Sequence, residues 1–519
     1  MEWVPGVVDT LAITLLVVYC TCAFVLFLYG INCYVMVYLC SRGRKRQRAL
    51  DREMLEEFWK THTDEDLPVV TTQLPIFNEA NVVERLVRSV AAIDYPIEKH
   101  EIQILDDSTD HTRQMSEALA AELREQGYDV KVVDRPDRKG YKAGALGFGL
   151  DICRGEFVAV FDADFVPGPE FLRSTVPYLM MESELGFVQA RWGHRNRNYS
   201  LLTIAQSMGI DGHFAVEQSA RSWNGLFLNF NGTAGVWRKE CIYSAGGWKA
   251  DTLTEDLDLS YRAQLAGWEP RYLVDVVAPA EVPTDINALK TQQHRWAKGS
   301  IQTAVKLIPQ VLRRKDIGFF KKLQAWMHLT HYMIHPIMLT MAILVLPLLF
   351  IGDQWVRKPL MVGLLISMLV SMMAPNFMYL FAQRLTRDDW KKSFKYLPTL
   401  MVLGVGLAVN NTRAVLEALL GGKSGFIRTP KLGAGAEKSK LAAAMEPKAK
   451  AAIRWYREPL NRLYLLEIFV GLWSLAAFIR YLTLTKFIIG PLLLINAIGY
   501  TSVGILSLVH EIRTKRANA

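Results

Sequence analysis

The chain has 519 residues, 51% hydrophobic and 21% charged, with a formal net charge of +9 from 60 basic and 51 acidic side chains. Its apolar residues collect before residue 41 and after residue 322, in uncharged runs longer than the ~20 residues that span a bilayer. That excludes a purely soluble enzyme, and the soluble α/β character of the middle of the chain argues against a pure transporter. The positive excess reads as juxtamembrane charge rather than nucleic-acid binding, so no nucleic acid is expected as a partner. Cys20, Cys22, Cys33 and Cys40 lie in the first apolar run, and Cys153 and Cys241 are isolated. Their spacing fits neither a zinc site nor a disulfide framework.

Residues 10–41 carry no charged side chain and are followed by Arg42, Arg44, Lys45, Arg46 and Arg48. This pattern predicts a retained transmembrane helix over 1–41 with its C-terminal end in the cytosol, followed by a basic cytosolic linker over 42–66. Residues 67–300 read as a cytosolic α/β domain and 301–322 as an interfacial helix. Two further spans are expected in 323–395. Residues 396–412 are apolar but interrupted by Pro398 and by Asn410-Asn411, and the stretch 413–462 holds eleven Lys/Arg and four Glu. Crossing at 396–412 would place that basic stretch outside, so the charge rule predicts an interfacial or re-entrant helix within 396–462. Two last spans fall in 463–519. The expected total is five transmembrane helices in a bacterial inner or plasma membrane, or an endomembrane, with the soluble segments cytosolic.

From residue 67 strands and helices alternate: strands at 67–76, 101–105, 130–133 and 157–161, with helices at 80–92, 110–126 and 142–153. Such alternation predicts a mostly parallel sheet covered on both faces, with ligands beyond the carboxyl ends of the strands. The polar clusters Asn78-Glu79, Asp106-Asp107 and Asp162-Ala163-Asp164 fall at those ends. Carboxylates converging on one edge call for a cation. Asp162-x-Asp164 offers hard oxygen ligands suited to Mg²⁺ or Mn²⁺ holding a diphosphate. In Gln292-Gln-His-Arg-Trp296, Arg295 can clamp a phosphate and Trp296 can stack on a sugar or base. Trp192, Trp223, Trp237 and Trp248 are equally readable as acceptor contacts or as core. Gly246-Gly247 reads as a helix stop rather than a hinge. His328, His331 and His335 share one helical face and read as bundle-lining polar residues rather than as metal ligands.

The ordered set Asp106-Asp107, Asp162-x-Asp164, Thr254-Glu255-Asp256 and Gln292-x-x-Arg295-Trp296 resembles the pattern of processive family-2 glycosyltransferases, which include cellulose, hyaluronan and chitin synthases. The chain is most similar to the plant cellulose synthase-like A and C groups, the mannan/glucomannan and glucan synthases. The resemblance covers roughly residues 67–300. It rests on Gln73-Leu-Pro-Ile-Phe-Asn-Glu79, Leu105-Asp-Asp-Ser-Thr-Asp110, Gly140-Tyr-Lys-Ala-Gly-Ala-Leu146, Phe161-Asp-Ala-Asp-Phe165, Val188-Gln-Ala-Arg-Trp192, Phe230-Asn-Gly-Thr-Ala-Gly-Val-Trp237 and the Gln292–Trp296 motif. It implies a GT-A-type, Rossmann-like nucleotide-sugar domain fused to an all-α membrane domain.

The resemblance also implies roles. Asp106, with Asn78 and Glu79, would face the nucleoside. Lys142 would approach the diphosphate, Asp162 would contact the nucleotide and Asp164 would ligate the metal. Asp256 would be the general base, Arg295 would bind pyrophosphate, and Trp296 would stack at the acceptor site. Asp107, Gln189, Glu255 and Gln292 complete the expected binding set. Arg428, Thr429 and Lys431 form a candidate gating loop by analogy with cellulose synthases. The expected activity is inverting, processive transfer of a hexose from GDP-mannose, GDP-glucose or UDP-glucose to a β-linked polysaccharide, threaded through the membrane region. With so few spans, a second copy is one way to complete the channel. Two rivals stand: a non-processive enzyme acting on a lipid acceptor, and a catalytically silent export scaffold.

Overall fold

In the computed structural model, the described residues are 5–351, 358–422, 462–484 and 489–518. The candidate gating residues Arg428, Thr429 and Lys431 lie outside them. So do residues 352–357, between the second and third expected spans.

The first helix, α1, runs from Pro5 to Thr61. The residues expected to form a linker therefore continue this candidate membrane-spanning helix into the α/β domain. Phe58, near its end, is buried in the core of the α/β domain. That domain begins with β1 (Val70–Ile76), α2 (Val83–Ala91), β2 (His100–Asp106), α3 (Thr112–Glu125), β3 (Asp129–Val133), α4 (Tyr141–Ile152) and β4 (Phe157–Val160). It continues with α5 (Val176–Met181), β5 (Leu185–His194), α6 (Leu201–Asp211), a π-helical stretch Gly212–Gln218, α7 (Ser219–Trp223), β6 (Gly235–Arg238), α8 (Lys239–Ser244), α9 (Glu255–Leu265) and β7 (Glu269–Ala280).

The strands form one seven-stranded sheet in the order β3-β2-β1-β4-β6-β5-β7. β1, β2, β3 and β4 pair in parallel, as do β5 and β7, whereas β6 is antiparallel to both β4 and β5. The alternation of β4 shows why its unbroken apolar run is needed. Phe157, Ala159 and Phe161 enter one core with α2 and α3, while Val158 and Val160 enter the other with α4 and α8. Gly246 and Gly247 follow α8 with φ of +85° and +71°, which supports a helix stop.

Beyond the sheet, α10 (Ile286–Arg313) carries the Gln292–Trp296 motif and passes through residue 300 without a break. The domain boundary expected there falls inside one helix. The chain continues with α11 (Phe319–Thr330), α12 (Ile334–Ile351), α13 (Lys358–Thr386), α14 (Leu397–Gly406), α15 (Ala408–Leu419), α16 (Leu463–Thr483) and α17 (Gly490–Asn518). Among the described residues, six helical segments are long and apolar enough to cross a membrane, one more than the charge rule predicts. The additional segment, Trp390–Leu419, holds α14 and α15, and its apolar window is the most buried of the six. Asn410 and Asn411 explain that burial. Asn410 Nδ2 donates to the Lys290 carbonyl at 2.9 Å, and Asn411 pairs with His335 at 3.0 Å.

Candidate active site

The carboxyl ends of β1, β2 and β4 open onto a cleft of about 160 Å³, closed on its other sides by α9, β7 and α10. Switch points of open α/β sheets create such crevices. From the expected set, Glu79, Asp107, Lys142, Asp162, Asp164, Glu255, Asp256, Gln292, Arg295 and Trp296 all line it. Three expected residues do not, and their bonds explain why. Asp106 is buried, accepting from the Ser108 N–H at 2.8 Å and from Ser116 Oγ at 2.6 Å. Asn78, at φ 55°, accepts from the Thr109 N–H at 2.8 Å and so ties the β1 loop to the β2 loop. Gln189 is fully buried: its amide N–H₂ donates to the Thr233 and Ala234 carbonyls at 3.0 Å each, and its oxygen accepts from the Asn231 N–H at 2.9 Å. These three hold the walls in place rather than forming them.

The charged centre lies between β4, α4 and α9. Lys142 Nζ donates to Asp162 Oδ1 at 2.5 Å and to the Gly232 carbonyl at 2.8 Å. Burial pulls the Lys142 pKa down, but the Asp162, Glu255 and Asp256 carboxylates outweigh it and hold the pKa above the ordinary lysine value. Burial pushes the Asp256 carboxyl up to about 7; Glu255 adds to the rise and Lys142 partly offsets it. Asp256 Oδ1 accepts from the Leu257 N–H at 2.8 Å, in the first turn of α9.

Gly232 sits between these groups with φ +78°, where a Cβ would lie 2.8 Å from Asp256 Oδ2 and 3.3 Å from Lys142 Nζ. The positive φ favours glycine there, and a Cβ would displace the Asp256 carboxylate. Gly232 lies in the Phe230–Trp237 motif but is not among the site residues expected from the sequence. Nor are Phe77 and Arg138, which line the cleft with the Arg138 guanidinium 3.2 Å from the Phe77 ring centroid. Of the four tryptophans, Trp192 lines this cleft and Trp237 is wholly buried in the core.

Among the described residues no group of three or more His, Cys, Asp or Glu side chains could by itself hold a metal ion. Asp162 and Asp164 still fit the group implied for them. They put two hard carboxylates on the cleft wall, and Mg²⁺ is commonly held by one or two carboxylates together with water and substrate phosphates.

Residues 67–299 match the family model described as Glycosyltransferase like family 2. The chain carries a family-2 glycosyltransferase domain. Glucomannan 4-beta-mannosyltransferase 2 of Arabidopsis thaliana is 42% identical over 275 residues, 51% of this chain and 52% of that protein. Glucomannan 4-beta-mannosyltransferase 1 of Cyamopsis tetragonoloba is 39% identical over 284 residues, 54% of each chain. The chain thus spans about half the length of the curated relatives it matches. Among solved structures, a mannosyltransferase from Pyrobaculum calidifontis in complex with GDP-Man and Mn²⁺ aligns with a TM-score of 0.47 at 18% identity, over 77% of this chain and 100% of that one. Within the glycosyltransferase domain, Asp162, Asp164, Glu255, Asp256, Arg295 and Trp296, brought together in this cleft, come from three of the motifs that carry the sequence resemblance.

Proposed function

We propose that this chain is a membrane-integrated, inverting glycosyltransferase that moves a hexose, mannose first among the candidates, from a nucleotide diphosphate sugar to a growing β-linked polysaccharide. One observation carries the reading. Asp256, a half-buried carboxyl with its pKa raised to about 7, shares a cleft with Lys142, Asp162, Asp164, Arg295 and Trp296. That is one base beside a cluster able to receive a diphosphate. The names of the curated relatives support mannose as the sugar.

In the proposed reaction, Asp256 takes the proton of the acceptor hydroxyl as that oxygen attacks the anomeric carbon. A new C–O bond forms as the bond from that carbon to the phosphate oxygen breaks, and the electron pair leaves with the nucleoside diphosphate. Direct displacement at one centre inverts it, so an α-linked donor yields a β-linkage. Lys142 and Arg295 meet the charge that develops on the leaving group. Asp162 and Asp164 would hold Mg²⁺ or Mn²⁺, which supplies further charge stabilisation to the diphosphate. Trp296 offers a face for the acceptor sugar. The motif on α10 favours a processive enzyme that passes its product into the membrane helices. The catalytic domain is assigned to the cytosolic side by the basic residues after residue 41.

The test uses purified protein in lipid nanodiscs with Mg²⁺ or Mn²⁺ and a panel of GDP- and UDP-sugars, following released nucleotide and product length together. Long chains cut by a β-mannanase, made from GDP-mannose and lost on Asp256→Asn, are expected. Products of one or two sugars on lipid would overturn the polymer assignment. Turnover unaffected by Asp256→Asn would overturn the role of that base.

A further inference from the structure

The apolar run of α1 ends at Cys40, and the helix continues through Arg42, Arg44, Lys45, Arg46 and Arg48. The apolar run of α13 ends near Arg384, Leu385 and Thr386. Where these two helices leave their membrane-spanning stretches, a second, small cleft of about 30 Å³ opens against the α/β sheet. Its polar wall consists of Arg44 and Arg48 from α1, Arg191 from β5, Trp223 from α7, Asp275 from β7 and Thr386 from α13. The cleft is separate from the glycosyl-transfer site. Arg191 and Trp192 are successive residues of β5, and successive strand residues face opposite sides; Arg191 lines this cleft and Trp192 lines the other.

Three guanidinium groups here face one carboxylate. Arg48 engages that carboxylate, with Nε and Nη2 donating to Asp275 at 2.6 and 2.7 Å. Arg191 spends only its Nε, on the Val274 carbonyl at 2.9 Å. Arg44 makes no hydrogen bond or ion pair among the described residues. Trp223 Nε1 is buried without a hydrogen-bond partner, although its indole packs against α1 at Gly43. A buried N–H without an acceptor costs free energy unless a ligand satisfies it. Forked guanidinium donors beside an indole N–H suit a tetrahedral oxyanion. The cleft's depth at the ends of two apolar runs matches that of lipid headgroups, and basic pockets between membrane helices at that level hold lipid phosphates.

We propose that this cleft binds the phosphate of an anionic membrane lipid. Because β5 and β7 supply part of the wall, a headgroup held there ties the edge of the catalytic sheet to the bilayer. The proposal stands apart from the glycosyl-transfer reaction and does not depend on it.

The experiment measures thermophoresis of the full-length protein in detergent micelles titrated with dioctanoyl phosphatidic acid, dioctanoyl phosphatidylcholine or inorganic phosphate. Saturable binding of phosphatidic acid, with at least tenfold weaker binding of the other two, is expected. The Arg44→Gln, Arg191→Gln double variant should weaken phosphatidic acid binding at least tenfold. The Arg42→Gln, Lys45→Gln variant removes as much charge from beside the cleft and should change binding less than twofold. Thr386→Glu places a carboxylate in the cleft without removing an arginine and should weaken binding, guarding against a double variant that fails to fold. Equal loss in both double variants would reduce the effect to diffuse surface charge and overturn the proposal. So would equal affinity for inorganic phosphate, or the lack of saturable binding.

Discussion

Gly232→Ala is the most direct probe of the catalytic geometry. The added Cβ would stand 2.8 Å from Asp256 Oδ2. Relaxed carbon–oxygen contacts begin at about 3.3 Å, so the carboxylate must retreat by roughly half an ångström. Proton abstraction works over a heavy-atom window of about 2.6–3.2 Å, and a misplacement of about 1 Å can cost ~10²-fold. A fall in kcat of about 10- to 100-fold is therefore expected. The substitution also forces alanine into a left-handed conformation, which costs about 1–2 kcal/mol of stability. Gly127→Ala separates the two effects: Gly127 has φ +94° and no atom within 4 Å of its Cβ position. Both variants should lose comparable melting temperature in nanodiscs, but only Gly232→Ala should lose nucleotide release. Activity retained within twofold by Gly232→Ala, or the same loss in both variants, would refute the placement of Asp256 as the base.

The raised pKa of Asp256 gives kcat/KM an ascending limb centred near pH 7, since the base works ionised, and a pH profile of nucleotide release checks it. Glu255 raises that pKa and Lys142 lowers it. Glu255→Gln should therefore move the limb to lower pH and Lys142→Gln to higher pH, against a reduced maximum in each case. Because the folded pKa lies above the unfolded value of about 3.9, stability falls as pH rises from about 4 to 7. Asp256→Asn removes this penalty and should melt higher than the parent at pH 8, by a margin that shrinks toward pH 4. Glu467→Gln should cost about 3–5 kcal/mol, because it strands the buried Lys290 ammonium now 2.7 Å from Glu467. Lys290→Met with Glu467→Leu should recover most of the lost melting temperature.

The parallel half of the sheet was legible because strand-like and helix-like segments alternate there and β4 reads as an unbroken apolar run; β1 and β2 are equally buried although each carries three or more polar residues. The other half was not read. β6 is four residues long and pairs antiparallel with strands far from it in sequence, and β7 contains Pro270 and Pro279, which argue against a strand. The motifs located the site but not the direction of each side chain. Asp106-Asp107 looks like a pair of ligands, yet neighbouring positions at a strand end face opposite ways, and only Asp107 reaches the cleft. Gln189 looks like a ligand by type; it faces away from the core that holds Val188 and Ala190, and it is buried by bonds to Thr233, Ala234 and Asn231, which are distant in sequence. The length of α1 also had a signal. Residues 44–60 contain neither glycine nor proline and are rich in Arg, Glu and Leu, all good helix formers.

Helix α10 shows how the soluble and membrane parts act together. Gln292, Arg295 and Trp296 fall at i, i+3 and i+4 and share the face that lines the cleft. Lys290, His294 and Lys298 fall at i, i+4 and i+8 on a face rotated from it by roughly 150° at 3.6 residues per turn. That second face is committed to the helices beyond the sheet. Lys290 pairs with Glu467 of α16 at 2.7 Å, while His294 and Lys298 meet Glu417 of α15 at 3.2 and 3.0 Å. Buried ion pairs contribute little net stability, and these contacts tie the register of α10 to α15 and α16. One rigid helix thus sets the proposed phosphate clamp and acceptor platform relative to two candidate membrane-spanning segments. A movement of α15 or α16 would reach Arg295 and Trp296 without passing through the sheet. Under the proposed function, such a movement would change the grip on the product end while leaving Asp256 and Lys142, held by α9 and α4, in place for the next transfer.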